Sequence, residues 1–177
     1  MIYASVTQVL QPFADFSKIP PDVLARASER GSRVHDACAN YARGLVNINI
    51  APEVVGYFDS FRRWFDVMAD EVLLAETRLV DEGFLFHGEP DLIIKSKTEG
   101  VILIDNKTPV QLVKTWRLQC AGYVNLATKN GMKPDHTGSL RLHPDGGIAK
   151  LDYYENSLTD FNYFLQALNL WRLFNTK

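Results

Sequence analysis

Residues 88–109, GEPDLIIKSKTEGVILIDNKTP, place two carboxylates and an ammonium at the ends of two short apolar runs. The runs DLIIK and GVILID are joined by the polar turn SKTEG, and Asp91 and Asp105 each stand seven residues from Thr98 at its centre. Folded as a hairpin about Thr98, the two acids oppose each other, and opposed residues have Cβ atoms roughly 4.5–5.5 Å apart. Like charges at that spacing repel. A divalent cation between them would remove the repulsion, and hard oxygen donors suit Mg²⁺ or Mn²⁺. Lys107 lies two residues beyond Asp105, and strand periodicity sends both side chains to one face. Two acids and a lysine at one point could hold a phosphate between cation and ammonium. The plain alternative is a pair of solvated strand-end acids with Lys107 as an ordinary ion-pair partner, because D-x(13)-D-x-K alone is a loose pattern.

Two further stretches bear on the same chemistry. In Gly31-Ser32-Arg33-Val34-His35 the neutral imidazole of His35 offers a third ligand beside Asp91 and Asp105. A lone helical histidine is more often a core or surface residue than a ligand. In Gln119-Cys120-Ala121-Gly122-Tyr123 the i and i+4 positions put Gln119 and Tyr123 on one helix face, where their polar tips could touch a nucleic-acid phosphate or base. A surface amide beside a half-buried tyrosine is the plainer account.

The elements that must position these residues follow from periodicity. Pro20-Pro21-Asp22 opens a helical segment that runs through VLARASER, meets Gly31-Ser32, where a break or close contact is expected, and resumes to about Gly44. Residues 52–70 carry Val54, Val55, Phe58, Phe61, Trp64, Phe65 and Met68 at helical spacing, which reads as core. VLLAETRLV, FLFHGEP, DLIIK and GVILID have strand character. A helix from about Val110 to Asn130 follows, closed by Gly131 and Pro134. HTGSLRLH and GIAKLDYY flank the turn Pro144-Asp145-Gly146-Gly147 as a hairpin. A last helix, about Leu158–Phe174, presents Phe161, Phe164, Leu165, Leu168 and Leu170 to the core. Helices, strands, a helix, two strands and a helix make an α/β fold around a mixed central sheet.

Composition bounds the rest. A chain of 177 residues, 46% apolar, suits one domain spanning 1–177. No run of about 18 apolar residues suggests a membrane span, and the N-terminal stretch lacks the basic-then-apolar form of a secretory signal. Cys38 and Cys120 are far apart and show no CxxC spacing, which argues against a disulfide framework, a structural zinc site or an iron–sulfur cluster. A reducing, cytoplasmic setting is expected. With a net charge of −2, attraction to nucleic acid must come from a local patch. Arg26, Arg30 and Arg33, together with Lys114, Trp116 and Arg117, are candidates for a basic, aromatic-bearing track of the kind single strands prefer. Solvated helix faces account for them equally well. Glu76, in LLAETRLV, is a candidate accessory acid, and His87 could also lie near the site.

GSRVH, then GEPD, IDNKT and QCAGY, with SVTQVL near the start, resemble the PD-(D/E)XK nuclease superfamily in its RecB-like exonuclease branch. The resemblance runs from about Val6 to about Ala127. Pro90-Asp91 matches the "PD" element, Asp105-Asn106-Lys107 the "(D/E)XK" element, Gln119 with Tyr123 the QxxxY motif, and Gly31 to His35 the G-x-x-V-H element. It implies a restriction-endonuclease-like core, with His35, Asp91, Asp105 and the backbone carbonyl of Asn106 holding one or two Mg²⁺ or Mn²⁺ ions. Asp91, Asp105 and Lys107 would be catalytic, Gln119, Tyr123, Arg33 and Arg117 substrate-binding, and Glu76 accessory. The implied activity is metal-dependent hydrolysis of DNA, single-stranded or with accessible ends, by an exonuclease of replication, recombination or repair. A helicase or single-strand-binding protein is an implied partner. No G-x-x-x-x-G-K-[ST] motif is present, which suggests a stand-alone nuclease domain or a subunit. The competing expectations are a DNA-binding or assembly module of the same fold that has lost catalysis and, more remotely, a zinc hydrolase, for which HExxH is lacking.

Overall fold

A computed structural model describes residues 3–46, 49–109 and 112–175. In chain order the elements are β1 (Ala4–Ser5), α1 (Val6–Leu10), α2 (Pro21–Ala42), α3 (Pro52–Met68), β2 (Ala69–Ala75), β3 (Leu79–Asp81), β4 (Phe86–Gly88), β5 (Leu92–Ser96), β6 (Gly100–Lys107), α4 (Thr115–Lys129), β7 (His136–Arg141), β8 (Lys150–Tyr153) and α5 (Ser157–Asn175). The fold is α/β, with mixed sheets flanked by helices.

Local chemistry sets several boundaries. Ser5 caps α1 with a reciprocal box: its Oγ accepts from Gln8 N at 3.1 Å, and Gln8 Oε1 accepts from Ser5 N at 2.9 Å. Pro21 and Pro52 occupy first turns, where no backbone donor is needed. Gly131, at φ 84°, takes the left-handed turn after α4.

The main sheet has the order β2-β5-β6-β7-β8. Its central hairpin pairs Leu92 with Ile104, Ile94 with Ile102 and Ser96 with Gly100, a register symmetric about Thr98. The antiparallel pairing expected around Asp91 and Asp105 is therefore present. β6 then runs parallel to β7, so α4 serves as the crossover between them. Alternation on β5 and β6 feeds two cores. Leu92, Ile94, Ile102 and Ile104 pack with residues of α2 and α3, and Ile93 and Leu103 pack with residues of α1, α4 and α5.

Several expectations are corrected. A second, three-stranded sheet, β1-β4-β3, stands beside the main one. The run VLLAETRLV divides between the two sheets, because Glu76 turns the chain at φ 39° between β2 and β3. α2 passes through Gly31 without a break. α4 begins at Thr115 rather than near 110, and residues 110–111 lie outside the described ones. Val55 and Leu170 are 40% and 50% exposed, so neither belongs to the core face assigned to it. Among the described residues no helix is long and apolar enough to cross a membrane.

Candidate active site

One cleft of about 590 Å³ gathers residues from α1, α2, the β2–β3 turn, β4, β6 and α4. His35, Glu76, Asp91, Asp105, Lys107, Gln119 and Tyr123 all line it. The arrangement has two halves.

In the first half His35 reaches across from α2. Its Nδ1 lies 3.2 Å from Asp91 Oδ1, while Asp91 Oδ2 accepts the backbone N–H of Asn106 at 2.6 Å. That bond ties the start of β5 to the end of β6. Glu76 stands beside them: its backbone N–H donates to the carbonyl of Asp91 at 3.0 Å. Its left-handed φ is uncommon for a non-glycine residue. Arg43, one residue past α2, donates from Nη2 to the carbonyls of Ala75 (2.6 Å) and Glu76 (3.1 Å), bracing that turn. His35, Glu76 and Asp91 each bring one donor atom into a group whose members lie within 4.8 Å of one another. An imidazole nitrogen with carboxylate oxygens could hold a metal ion, and three protein donors would leave positions for water or substrate.

The second half is an internal chain on the α4 side of β6. Lys107 Nζ lies 2.5 Å from Asp105 Oδ2 and 5.4 Å from the centroid of the Trp116 ring, and it donates to Gln119 Oε1 at 3.0 Å. Gln119 Nε2 in turn donates to the Tyr123 hydroxyl at 3.2 Å. Tyr123 is buried, and it leaves no room for a side chain at position 88. A Cβ on Gly88 would come within 2.6 Å of the Tyr123 ring. Asp105 Oδ2 is buried and, apart from the close lysine, accepts no directed hydrogen bond among the described residues.

The electrostatics divide along the same line. The Asp91 carboxylate raises the pKa of His35 from 6.5 to about 9, against the effect of burial. Burial disfavours the Asp91 charge, yet His35, Lys107 and the Asn106 N–H outweigh it and hold its pKa below the usual value. Asp105 is pushed up to about 6, first by burial and then by Asp91, despite Lys107 beside it. Burial opposes the Lys107 ammonium, but Asp105 and Asp91 prevail, and its pKa is raised. In this state Lys107 is a cation rather than a poised general base. Glu76 is raised by burial and by Asp91.

The residues expected at the site from sequence are brought together only in part. His35, Glu76 and Asp91 form the donor group. Asp105 lies outside it and is engaged by Lys107. Asn106 enters through its backbone N–H, and its buried side-chain Oδ1 has no partner among the described residues. Gln119 and Tyr123 share a face as expected, but they continue inward from Lys107 rather than standing free. Arg33 and Arg117 are not at the cleft. Arg33 pairs with Glu29 at 2.6 Å and Glu53 at 3.1 Å, and Arg117 pairs with Asp160 at 2.8 Å beside a separate cavity between α4 and α5. Arg26 pairs with Asp22, and Arg30 lies over the Tyr57 ring.

Sequence reasoning missed Arg43 as the brace of Glu76 and placed Trp116 in a surface track, whereas its ring lies under Lys107. The helical spacing of Trp116 to Gln119 could have indicated their shared face. No local signal marks Arg43, which is 33 residues from the carbonyl it holds. No protein-family model matches the chain, and no curated protein matches its sequence.

Proposed function

We propose that the chain is a Mg²⁺- or Mn²⁺-dependent deoxyribonuclease with a restriction-endonuclease-like core, acting as an exonuclease of DNA replication, recombination or repair. The observation that carries this is the convergence of His35, Glu76 and Asp91 within 4.8 Å, in one cleft with the Asp105–Lys107 pair. The motif order GSRVH, GEPD, IDNK and QCAGY supports it.

A divalent cation held by His35, Glu76 and Asp91 would polarise a phosphate oxygen and lower the pKa of a water. Asp105, outside that set and paired with Lys107, would join it only if that ion pair gave way. Lys107, kept charged by Asp105 and Asp91, neutralises the charge that develops on the phosphate in the transition state. Gln119 and Trp116 fix where the ammonium points. Without a cation, Asp105 and Asp91 hold the lysine as an ammonium, which favours an electrostatic and positional part.

The cleft's charge adds a requirement. Among the described residues, Asp36, Glu76, Glu89, Asp91 and Asp105 line it with Lys107 as the one Lys or Arg side chain. A polyanion meets net repulsion there, so strand engagement depends on divalent cation.

The test is a time course on 5′- and 3′-labelled linear DNA beside closed circular DNA, with Mg²⁺, Mn²⁺ or chelator. Cation-dependent loss of label from linear but not circular DNA is the expected result. Cation-dependent binding without any cleavage would replace the enzyme with a binding or assembly module.

A further inference from the structure

Gly31 sits in the middle of α2, one turn before His35. Three ordinary reasons for a glycine do not apply. Its backbone is helical, so no left-handed φ is needed. Apart from its own helix backbone and chain neighbours, no atom lies within 4 Å of where its Cβ would be, so no neighbouring element packs against it. The helix neither breaks nor turns there. Glycine in a helix interior is less stable than alanine, so its presence weakens α2 without a return in packing.

The space it leaves opens into the cleft. Gly31 lines the same cavity as His35, Glu76, Asp91, Asp105 and Lys107. The donor atoms of His35, Glu76 and Asp91, within 4.8 Å of one another, stand in that same cavity and could hold a metal ion. Residues four apart on a helix have Cβ atoms about 5–6 Å apart. A side chain at 31 would therefore stand beside the donor group, in the path of anything extending from it along α2.

We infer that Gly31 is a clearance point for a polynucleotide strand, the position where the backbone flanking the reacting phosphate passes closest to α2. This rests on the nuclease proposal above. It assigns a residue that decides which phosphodiesters enter: a ligand confined to the donor group does not need the gap, whereas a chain running past it does.

The experiment compares the parent protein with Gly31→Ala and Gly31→Leu. Four quantities are read: thermal melting, Mn²⁺ titration by calorimetry, anisotropy of a short labelled single strand in Ca²⁺, and hydrolysis in Mn²⁺ of that strand and of bis-p-nitrophenyl phosphate. Gly31→Ala should melt at or above the parent temperature, and both variants should titrate Mn²⁺ as the parent does. Strand affinity should fall by on the order of tenfold for alanine and roughly 100-fold or more for leucine, about 1.4 and about 2.7 kcal/mol. Hydrolysis of the small diester should not change. If Gly31→Leu and Gly31→Ala bind the strand as tightly as the parent, the inference is overturned. A parent that binds the strand but hydrolyses neither ester would overturn the nuclease proposal alone, with loss of binding in Gly31→Leu still supporting the clearance. A parent that neither binds nor cleaves overturns both.

Discussion

Asp91 keeps 11% of its side chain exposed, faces His35 and accepts the Asn106 N–H. Asp105, at the mirrored position across the same hairpin, is 1% exposed and has Lys107 as its close partner. The pKa of Asp91 is held down by its surroundings, and that of Asp105 is pushed up to about 6 by burial. Hairpin symmetry fixes where two identical side chains stand. The side chains that reach each acid, His35 from α2 at Asp91 and Lys107 with Gln119 of α4 at Asp105, decide what each can do. The Asp91 half is a donor group open to the cleft, and the Asp105 half is an internal cation mount.

If that division holds, Asp91→Ala should have the largest effect. It removes the residue shared by His35, Glu76 and Asn106, so Mn²⁺ affinity should drop by more than the 10–100-fold typical of outer partners, roughly 100-fold or beyond. Cleavage should be lost with it, as calorimetry and a single-turnover assay would record. Lys107→Ala should separate the two quantities: cleavage falls by about 100–1,000-fold, the scale of one lost charge-stabilising donor. Mn²⁺ affinity should persist or tighten because a cation has left the site. Near-parental cleavage would make Lys107 a structural ion-pair partner.

Arg43→Ala sharpens the donor half. Without its bonds to the Ala75 and Glu76 carbonyls, Mn²⁺ affinity should fall about 10–100-fold, with partial recovery in Arg43→Lys. A lower melting temperature with unchanged Mn²⁺ affinity would limit Arg43 to a scaffold role. Gln119→Ala should produce a smaller loss, about tenfold in turnover, the lower end of what mispositioning a catalytic group costs. Strand affinity should stay near parental, since the amide holds Lys107 rather than the nucleic acid.

A separate readout, of stability and not of activity, concerns pH. The folded pKa of His35, about 9, lies above its ordinary 6.5. Its stabilising contribution is therefore complete below 6.5 and is lost as pH rises through about 9. In chelator, the urea midpoint of the parent should decline across that window, and His35→Gln should flatten the slope. An unchanged slope in the variant would detach His35 from Asp91.

How much of this is legible in the sequence depends on the range of the interaction. The register about Thr98 is readable because the polar turn SKTEG lies between two apolar runs and is centred on Thr98, midway between Asp91 and Asp105. The shared face of Asp105 and Lys107 follows from strand periodicity. The split of VLLAETRLV is not readable, since Glu76 adopts its turn without a glycine or proline to announce it. The fates of Arg33 and Arg117 are hidden in the same way: Glu53 and Asp160 are distant in sequence, and only tertiary packing brings them near. Continuity of α2 through Gly31 reflects packing of Val34, Ala37 and Cys38 overriding a local propensity.

The hairpin also orders the site in time. The Lys107–Gln119 and Asn106–Asp91 contacts close loops of 12 and 15 residues, whereas His35 meets Asp91 across 56. Loop closure costs more as the loop lengthens, and contacts of low sequence separation tend to form sooner. A chain emerging from denaturant therefore assembles its cation mount first and its donor group only when α2 docks. A divalent ion bound by His35, Glu76 and Asp91, as proposed, would find its full donor group only after that docking and would act on the last stage of folding rather than the first.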